Sequence, residues 1–216
     1  MMDLWSQRAD AFRESPTHRE GADLDLVVEW SEPGPDAKVL DVATGGGHVA
    51  RRLREEGCTV VTVDPAPGMK ADVVAPAEHL PFEDGSFDVV TCRIAAHHFT
   101  DIRAAVAEMA RVSNRLLVIE DNLFRGEHVE EAERLRDPTH VRCYSEDEWK
   151  ELVDAVGFEI EQVQDFPRRQ SLSAWLERVD TPPDDARRIR ELLAEHIEDD
   201  MLDFSSIVLK ARKSQK

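Results

Sequence analysis

The stretch Val39-Leu40-Asp41-Val42-Ala43-Thr44-Gly45-Gly46-Gly47-His48-Val49-Ala50 decides the fold of this 216-residue chain. A short apolar run ends in an acidic residue, passes into a turn with three consecutive glycines, and continues as a helical pattern. Val49 and Leu53 share one face of that helix, while Arg51, Arg52, Arg54, Glu55 and Glu56 take the other. Strand, glycine turn and helix together are the local unit of an open α/β sheet. Glycine lets the backbone approach a ligand where a Cβ would block it. The following helix points its free N–H groups at the same place. A nucleotide-like cofactor is therefore expected at this turn, the plain alternative being a tight turn with no ligand.

The next apolar run, Thr59-Val60-Val61-Thr62-Val63, ends in Asp64-Pro65, and Asp64 stands 23 residues after Asp41, a spacing that suits strand, helix, strand. A carboxylate at the end of the second strand can accept both hydroxyls of a ribose, although Asp-Pro also starts turns. The glycine pattern separates two cofactor classes. Counted from Gly45, the dinucleotide fingerprint G-x-G-x-x-G needs a third glycine where Ala50 stands. This counts against an NAD(P)-dependent oxidoreductase on the same sheet. D-x-G-x-G-x-G fits better, with Asp41 first, Ala43 in the first glycine slot, then Gly45 and Gly47. That arrangement is similar to the first motif of class I S-adenosylmethionine (SAM)-dependent methyltransferases.

Residues 77–99 read AEHLPFEDGSFDVVTCRIAAHHF, with Asp84-Gly85 as a turn and 87–92 as the following strand. Glu108-Met109-Ala110-Arg111-Val112 and then Arg115-Leu116-Leu117-Val118-Ile119-Glu120-Asp121 supply the next helix and strand. Taken together, from residue 15 to residue 158, these segments resemble the methyltransferases related to the ubiquinone/menaquinone C-methyltransferases. The resemblance implies an α/β fold, a doubly wound, mostly parallel, seven-stranded Rossmann-like sheet whose last strand is antiparallel. It also implies SAM as cofactor. By the same resemblance, Asp41 orders the glycine loop near the methionine amino group, and Ala43, Thr44, Gly45 and Gly47 wrap the methionine part and ribose. Asp64 accepts the ribose diol and Pro65 packs on the adenine. Ala77, Glu78 and His79 meet the adenine edge, and Arg93 and Ile94 lie beneath the sulfonium. The chain departs from the pattern in two places. Ala43 stands where many relatives have Gly, which a negative φ would tolerate. Pro76 stands where they have Asp, removing an acceptor for the adenine amino group.

Length and composition fit one α/β domain spanning residues 1–216. No run of about eighteen apolar residues occurs, so no membrane span is expected. The first residues show no basic segment followed by an apolar stretch, so no signal peptide is expected either. Cys58, Cys92 and Cys143 are widely spaced, which suits reduced thiols in the cytoplasm. Their spacing to histidines reads as no metal site. The net charge of −18 disfavours a nucleic-acid substrate. Lysine is scarce (6 against 21 arginines); a salt-loving source and a GC-rich genome would each produce this bias, and the sequence leaves both open.

Residues 1–31 read as a helical lid, with Leu24, Val27, Val28 and Trp30 on the apolar side of its last helix and Phe12, Ser15 and His18 placed to close over the cofactor. Residues 127–136 form a charged helix, and 137–142 a loop. Ser145 and Glu148 make a capping box before a helix ended by Gly157. Strands are expected at 158–166 and 206–211, and helices at 171–179 and 184–196, broken by Thr181-Pro182-Pro183. The segments 122–145 and 168–200 then form insertions over the C-terminal edge of the sheet, where open α/β sheets bind ligands. Methyl transfer is an in-line displacement in which alignment does most of the work, and a base is needed only for an acceptor that holds its proton tightly. His98, just after the fourth strand, ranks first as that base, with His140 and Arg142 facing the same side. Arg142 is the expected cationic spot for a small organic acceptor of anionic or phenolic character, the plain alternative being that it only pairs with acidic neighbours such as Glu146 or Asp147. His97 and His98 could instead simply cap or pack the next helix. A non-catalytic SAM-binding protein remains the third reading, and the acceptor and oligomeric state are not written in the sequence.

Overall fold

The computed structural model describes residues 2–214. Met1 of the expected lid, Gln215 and Lys216 lie outside the described residues. Helices α1 (Met2–Glu14), α2 (Pro16–Arg19) and α3 (Ala22–Trp30) precede the sheet. Strand β1 (Lys38–Val42), helix α4 (His48–Glu55) and strand β2 (Thr59–Asp64) follow, then the short β3 (Val73–Val74) and β4 (Phe87–Arg93). Helix α5 (Ile102–Val112) leads into β5 (Ser113–Asn122), and then come α6 (Glu127–Arg136) and α7 (Glu146–Asp154). The chain finishes with β6 (Phe158–Ser171), α8 (Leu172–Glu177), α9 (Pro183–Leu192), β7 (Ile197–Glu198) and β8 (Met201–Lys213).

Strands run in the order β3-β2-β1-β4-β5-β8-β6, with β7 paired to β8 off this path. Pairings from β3 through to β5 are parallel, and β8 is antiparallel to both β5 and β6. The chain winds outward from β1 in one direction and from β4 in the other. The crevice between them at the strands' C-terminal ends is the topological switch point.

Strand periodicity sorts the core into two layers. In β1, Leu40 and Val42 join the cluster with Met109, Trp149 and Phe158, while Val39 joins Leu24, Val28, Val49 and Leu53 on the opposite face. β5 divides the same way, Leu117 and Ile119 against Leu116 and Val118. Both faces of the central strands are thus covered by helices, as parallel sheets require. Each fully buried Leu contributes about 1.5–3 kcal/mol. A third cluster, with Ala132, Leu172, Trp175, Leu176 and Ile189, holds α6, α8 and α9 together.

Local signals set the helix ends. The Asp101 side chain accepts from Ala104 N at 3.0 Å, and the Ser145/Glu148 capping box is formed at α7. Gly157 takes φ +78 just beyond that helix. The antiparallel pair corrects the sequence reading: β6 and β8 extend beyond 158–166 and 206–211 and stay paired out to Ser171↔Met201. Residues 168–171 are therefore strand, not insertion. Pro167 obscured this, yet β6 is the edge strand, where a proline can be accommodated without breaking a central ladder. The expected helix at 184–196 ends at Leu192, followed by a single 3-10 turn, Ala194–His196.

Candidate active site

A cavity of about 350 Å³ opens at the C-terminal edge of the sheet, lined by the glycine turn, the β4 exit, α1, α6 and the α8 region. At one end Asp41 is buried at 2 % exposure. Its carboxylate accepts from Thr44 Oγ1 at 2.6 Å and Thr91 Oγ1 at 2.9 Å. Burial pushes Asp41 up to about 6, against the opposing pull of the two threonine hydroxyls. Asp64, at the end of β2, accepts from Gly45 N at 3.0 Å and Ala66 N at 2.9 Å. Burial raises it too, the backbone donors working the other way. Asp64 thus braces the glycine turn against the strand beside it.

The turn itself corrects one expectation. Ala43 has φ +52, not the negative angle that would make alanine comfortable. Ile94, at the matching exit of β4, also has φ +52. A left-handed conformation costs a non-glycine residue about 1–2 kcal/mol. Both strained residues line the cavity, where such conformations collect. Gly46 meets a different demand: a Cβ there would lie 2.6 Å from His48 Nε2 and 3.0 Å from Phe12 O. Gly47 caps α4 rather than lining the cavity, and His79 is likewise not on its wall, whereas Ala43, Thr44, Gly45, Pro65, Ala77 and Glu78 are. Glu78 turns its carboxylate to Thr100 N at 2.8 Å and Thr100 Oγ1 at 2.9 Å.

The N-terminal helices close one side. Phe12 and His18 line the cavity with their rings 5.4 Å apart. Burial, with Arg93 next, pulls His18 down to about 3, so it is neutral. α1 sits on the 3-10 turn Pro67–Met69, where Gly68 N donates to Ser6 Oγ at 3.0 Å and Gly68 O accepts from Arg13 at 3.2 Å. A Cβ on Gly68 would fall 2.6 Å from the Ser6 backbone. Arg93 lines the cavity, but its guanidinium is committed to Asp23, to Glu120 Oε2 at 2.7 Å and to the carbonyl of His18 at 3.0 Å. Arg168 binds the same two carboxylates, Asp23 at 2.7 Å and Glu120. Burial raises Glu120 to about 7 in spite of both arginines, while Asp23, also opposed by burial, is held below the usual carboxylate range by them.

The other end corrects the acceptor residues. His98 lines the cavity, its Nδ1 directed at Thr139 O at 3.1 Å, with Trp5 stacked edge-on at 4.6 Å. Burial, then the neighbouring His97, drives His98 well below the usual histidine range. His140 and Arg142 are not on the cavity wall. His140 is 6 % exposed and its Nε2 meets Glu130 Oε2 at 2.8 Å. Arg142 donates to Glu148 Oε1 at 2.7 Å and leans over Tyr144 and Phe124. An acidic helix N-terminus next to a loop arginine captures it, which is why Arg142 serves α7 instead of the cavity. Glu130, His140 and Cys143 also bring their ligand atoms within 4.8 Å of one another, a cluster not apparent from sequence spacing.

The group that sequence ranking passed over is His97. Its Nδ1 meets Asp121 Oδ1 at 2.5 Å, and its backbone N donates to Asp121 Oδ2 at 2.6 Å. Burial opposes charge on His97, but the Asp121 carboxylate outweighs it and leaves the imidazole above the usual value. His97 lines the cavity, and among the described residues its Nε2 takes no hydrogen bond. A carboxylate holding Nδ1–H leaves Nε2 as the basic nitrogen. The signal in the sequence was the alignment of Asp121 with the β4 exit, legible only once β4 and β5 are known to be neighbours.

A family profile for the methyltransferase domain matches residues 40–115. The chain is 32 % identical to the uncharacterised methyltransferase YcgJ of Bacillus subtilis, covering 95 % of this chain and 89 % of the relative. The chain belongs to the methyltransferase family. The crystal structure of YcgJ superposes with a TM-score of 0.77 at 28 % identity, covering 90 % of this chain and 99 % of that one. A methyltransferase-fold chain from Bacillus halodurans gives 0.78 at 29 % identity, covering 90 % and 100 %. Over a shorter span, a demethylmenaquinone methyltransferase of Beutenbergia cavernae is 36 % identical, covering 40 % of this chain and 41 % of its own. Family and fold agree with the resemblance read from residues 15–158.

Proposed function

We propose that this methyltransferase uses SAM to methylate a small organic acceptor by in-line displacement. The observation that carries the reading is one cavity whose wall holds two chemically distinct groups: Asp41, Gly45 and Asp64 at the glycine turn, and His97, bonded to Asp121, at the β4 exit. The donor set fits the cofactor. Asp41 is a buried carboxylate suited to an amino group, Asp64 retains acceptor capacity beyond its two backbone bonds, and the glycine turn offers close backbone approach. When bound, SAM supplies the electrophilic methyl group. Residues 2–31 act as the lid over a single domain, Phe12 and His18 excluding water from the cofactor end. His97 takes the acceptor's proton at Nε2 while Asp121 holds the ring, and neutral His98 with Trp5 shapes the acceptor end. The three cysteines are buried free thiols, and among the described residues no helix is long and apolar enough to cross a membrane; both support a cytoplasmic place of work. Calorimetry with S-adenosylhomocysteine and with NAD tests the cofactor. Binding of the former and not the latter is expected, and the reverse result would sink the reading.

A further inference from the structure

The acceptor end of the cavity carries cationic groups that the cofactor end does not use. Arg178, at the C-cap of α8, lines it together with Arg136 at the end of α6 and Arg125. Arg178 makes one weak side-chain contact, to Gln170 Oε1 at 3.5 Å. Among the described residues no carboxylate lies within ion-pair distance of it. Arg136 is 12 % exposed, donates Nε to Trp175 O at 3.1 Å, and lies with Cζ 4.3 Å over the Trp175 ring. Its nearest carboxylate, Glu133, stands 3.9 Å away and forms no hydrogen bond with it. Asp137, the other acid on this wall, is consumed by Thr139 N, Thr139 Oγ1 and Arg8. Arg125 is committed to the Asp203 carbonyl and to His196 Nδ1. With Arg8 on Asp137, Arg136 and Arg178 face Glu133 as the remaining acid of this wall, in a protein whose overall charge is −18.

Burying a cation without a partner is costly, and an arginine fork is matched to oxyanions. Desolvation by burial is what lowers Arg178, with no neighbouring carboxylate raising it. Arg136 is pulled down to about 10 by burial first, with Arg178 adding to the effect. The two guanidiniums therefore repel each other, Glu133 and Asp137 offsetting this only in part at Arg136 and no carboxylate offsetting it at Arg178.

We propose that Arg136 and Arg178 form a subsite for an oxyanion, a carboxylate or phosphate, carried by the methyl acceptor, with Trp175 as its apolar floor. This rests on the methyl-transfer reading and names the substrate class for that same cavity. It replaces Arg142, which is neutralised by Glu148, as the cation that selects the acceptor. The sulfonium side and the His97 side would then lie at one end of the acceptor and the oxyanion at the other.

The test uses benzoate and phenyl phosphate as anionic probes, with benzamide and benzyl alcohol as neutral counterparts, titrated by calorimetry with and without S-adenosylhomocysteine. At least one anionic probe is expected to bind tenfold or more tightly than its neutral counterpart. Arg178→Met and Arg136→Met should each abolish that preference, while Arg178→Lys retains part of it. Whichever anion binds tighter identifies the source of the oxyanion. Unchanged S-adenosylhomocysteine affinity in the variants shows that they are folded. No binding of either anion at millimolar concentration, equal binding of anion and neutral probe, or a preference that survives in the Arg136→Met/Arg178→Met double variant overturns the subsite. Failure of the wild-type protein to bind S-adenosylhomocysteine overturns the methyl-transfer reading instead, while the anion titration without it still decides the subsite.

Discussion

Removing the Asp64 carboxylate should weaken the cofactor far more than it weakens the fold. Asp64 is 6 % exposed, ends β2 and accepts from Gly45 N and Ala66 N. A carboxylate has about four acceptor positions; two are taken by backbone, leaving two for a ribose diol. Hydrogen bonds to a charged group are worth about 1.5–3 kcal/mol. Asp64→Ala should therefore raise the Kd for S-adenosylhomocysteine by roughly 10- to 150-fold. Asp64→Asn keeps one carbonyl acceptor but turns an amide toward a backbone donor, so a loss of about 1–2 kcal/mol is expected. The pH dependence has a definite sign. Burial lifts Asp64 above the usual carboxylate value in the free protein, and ribose hydroxyls favour its ionised form. Affinity should hold above that raised value and decline as pH falls through it; in Asp64→Asn only the decline that Asp41 causes, near its own raised value of about 6, should remain. Calorimetry across pH, with circular dichroism melts as a folding control, measures both effects. A loss below about 0.5 kcal/mol in a folded Asp64→Ala protein would reduce Asp64 to a turn brace and refute the reasoning.

Two further outcomes follow from contacts on the cavity wall. Since Asp121 raises His97, an NMR titration should find the His97 imidazole above the ordinary histidine value, and Asp121→Asn should bring it below. The stability contributed by this pair is fully present below the unfolded value and is lost as pH rises through the raised folded one, so the variant should lose stability mainly on the acid side; an unmoved His97 titration would show the pair is not coupled. Gly68→Ala places a Cβ 2.6 Å from Ser6, so α1 must shift: faster proteolysis within residues 2–14 and weaker S-adenosylhomocysteine binding are expected, and wild-type values for both would show that this seat does not hold the lid.

The fold was legible where chemistry is local. Apolar runs of strand length, each ending in Asp41 or Asp64, marked β1 and β2, and the intervening amphipathic pattern could only be α4. Ser145 and Glu148 announced α7 by a capping contact that spans three residues. Reading failed where a partner strand decides. Residues 158–171 alternate weakly and contain Pro167, and only the ladder to β8 keeps them extended to Ser171. Ala43 was misjudged for a related reason. Its positive φ is imposed by the turn geometry and by Thr44 N bonding to Val63 O at 3.1 Å on the neighbouring strand. Local preference alone argued for the opposite angle.

The candidate site divides along the same line. The wall proposed for the cofactor rides on one continuous segment, residues 41–46, plus a single carboxylate one crossover away, so a motif and its spacing sufficed to bring those residues together. Its acceptor half is assembled from pieces distant in sequence: His97 and Asp121 are 24 residues apart, and Arg136 reaches Trp175 across 39. Adjacent histidines cannot be ranked from sequence, because what distinguishes them is the third group each meets. His98 meets a neutral carbonyl and is held neutral by burial; His97 meets a carboxylate and is kept basic. Likewise an arginine becomes a ligand-binding cation only if no acid of its own chain reaches it first. Arg142 stands six residues from Glu148 and is captured by it. Arg178 leaves α8 toward a wall whose one free acid, Glu133, lies nearer Arg136. In a chain this acidic, the informative cation is the one the fold leaves unpaired, and that property exists only in three dimensions.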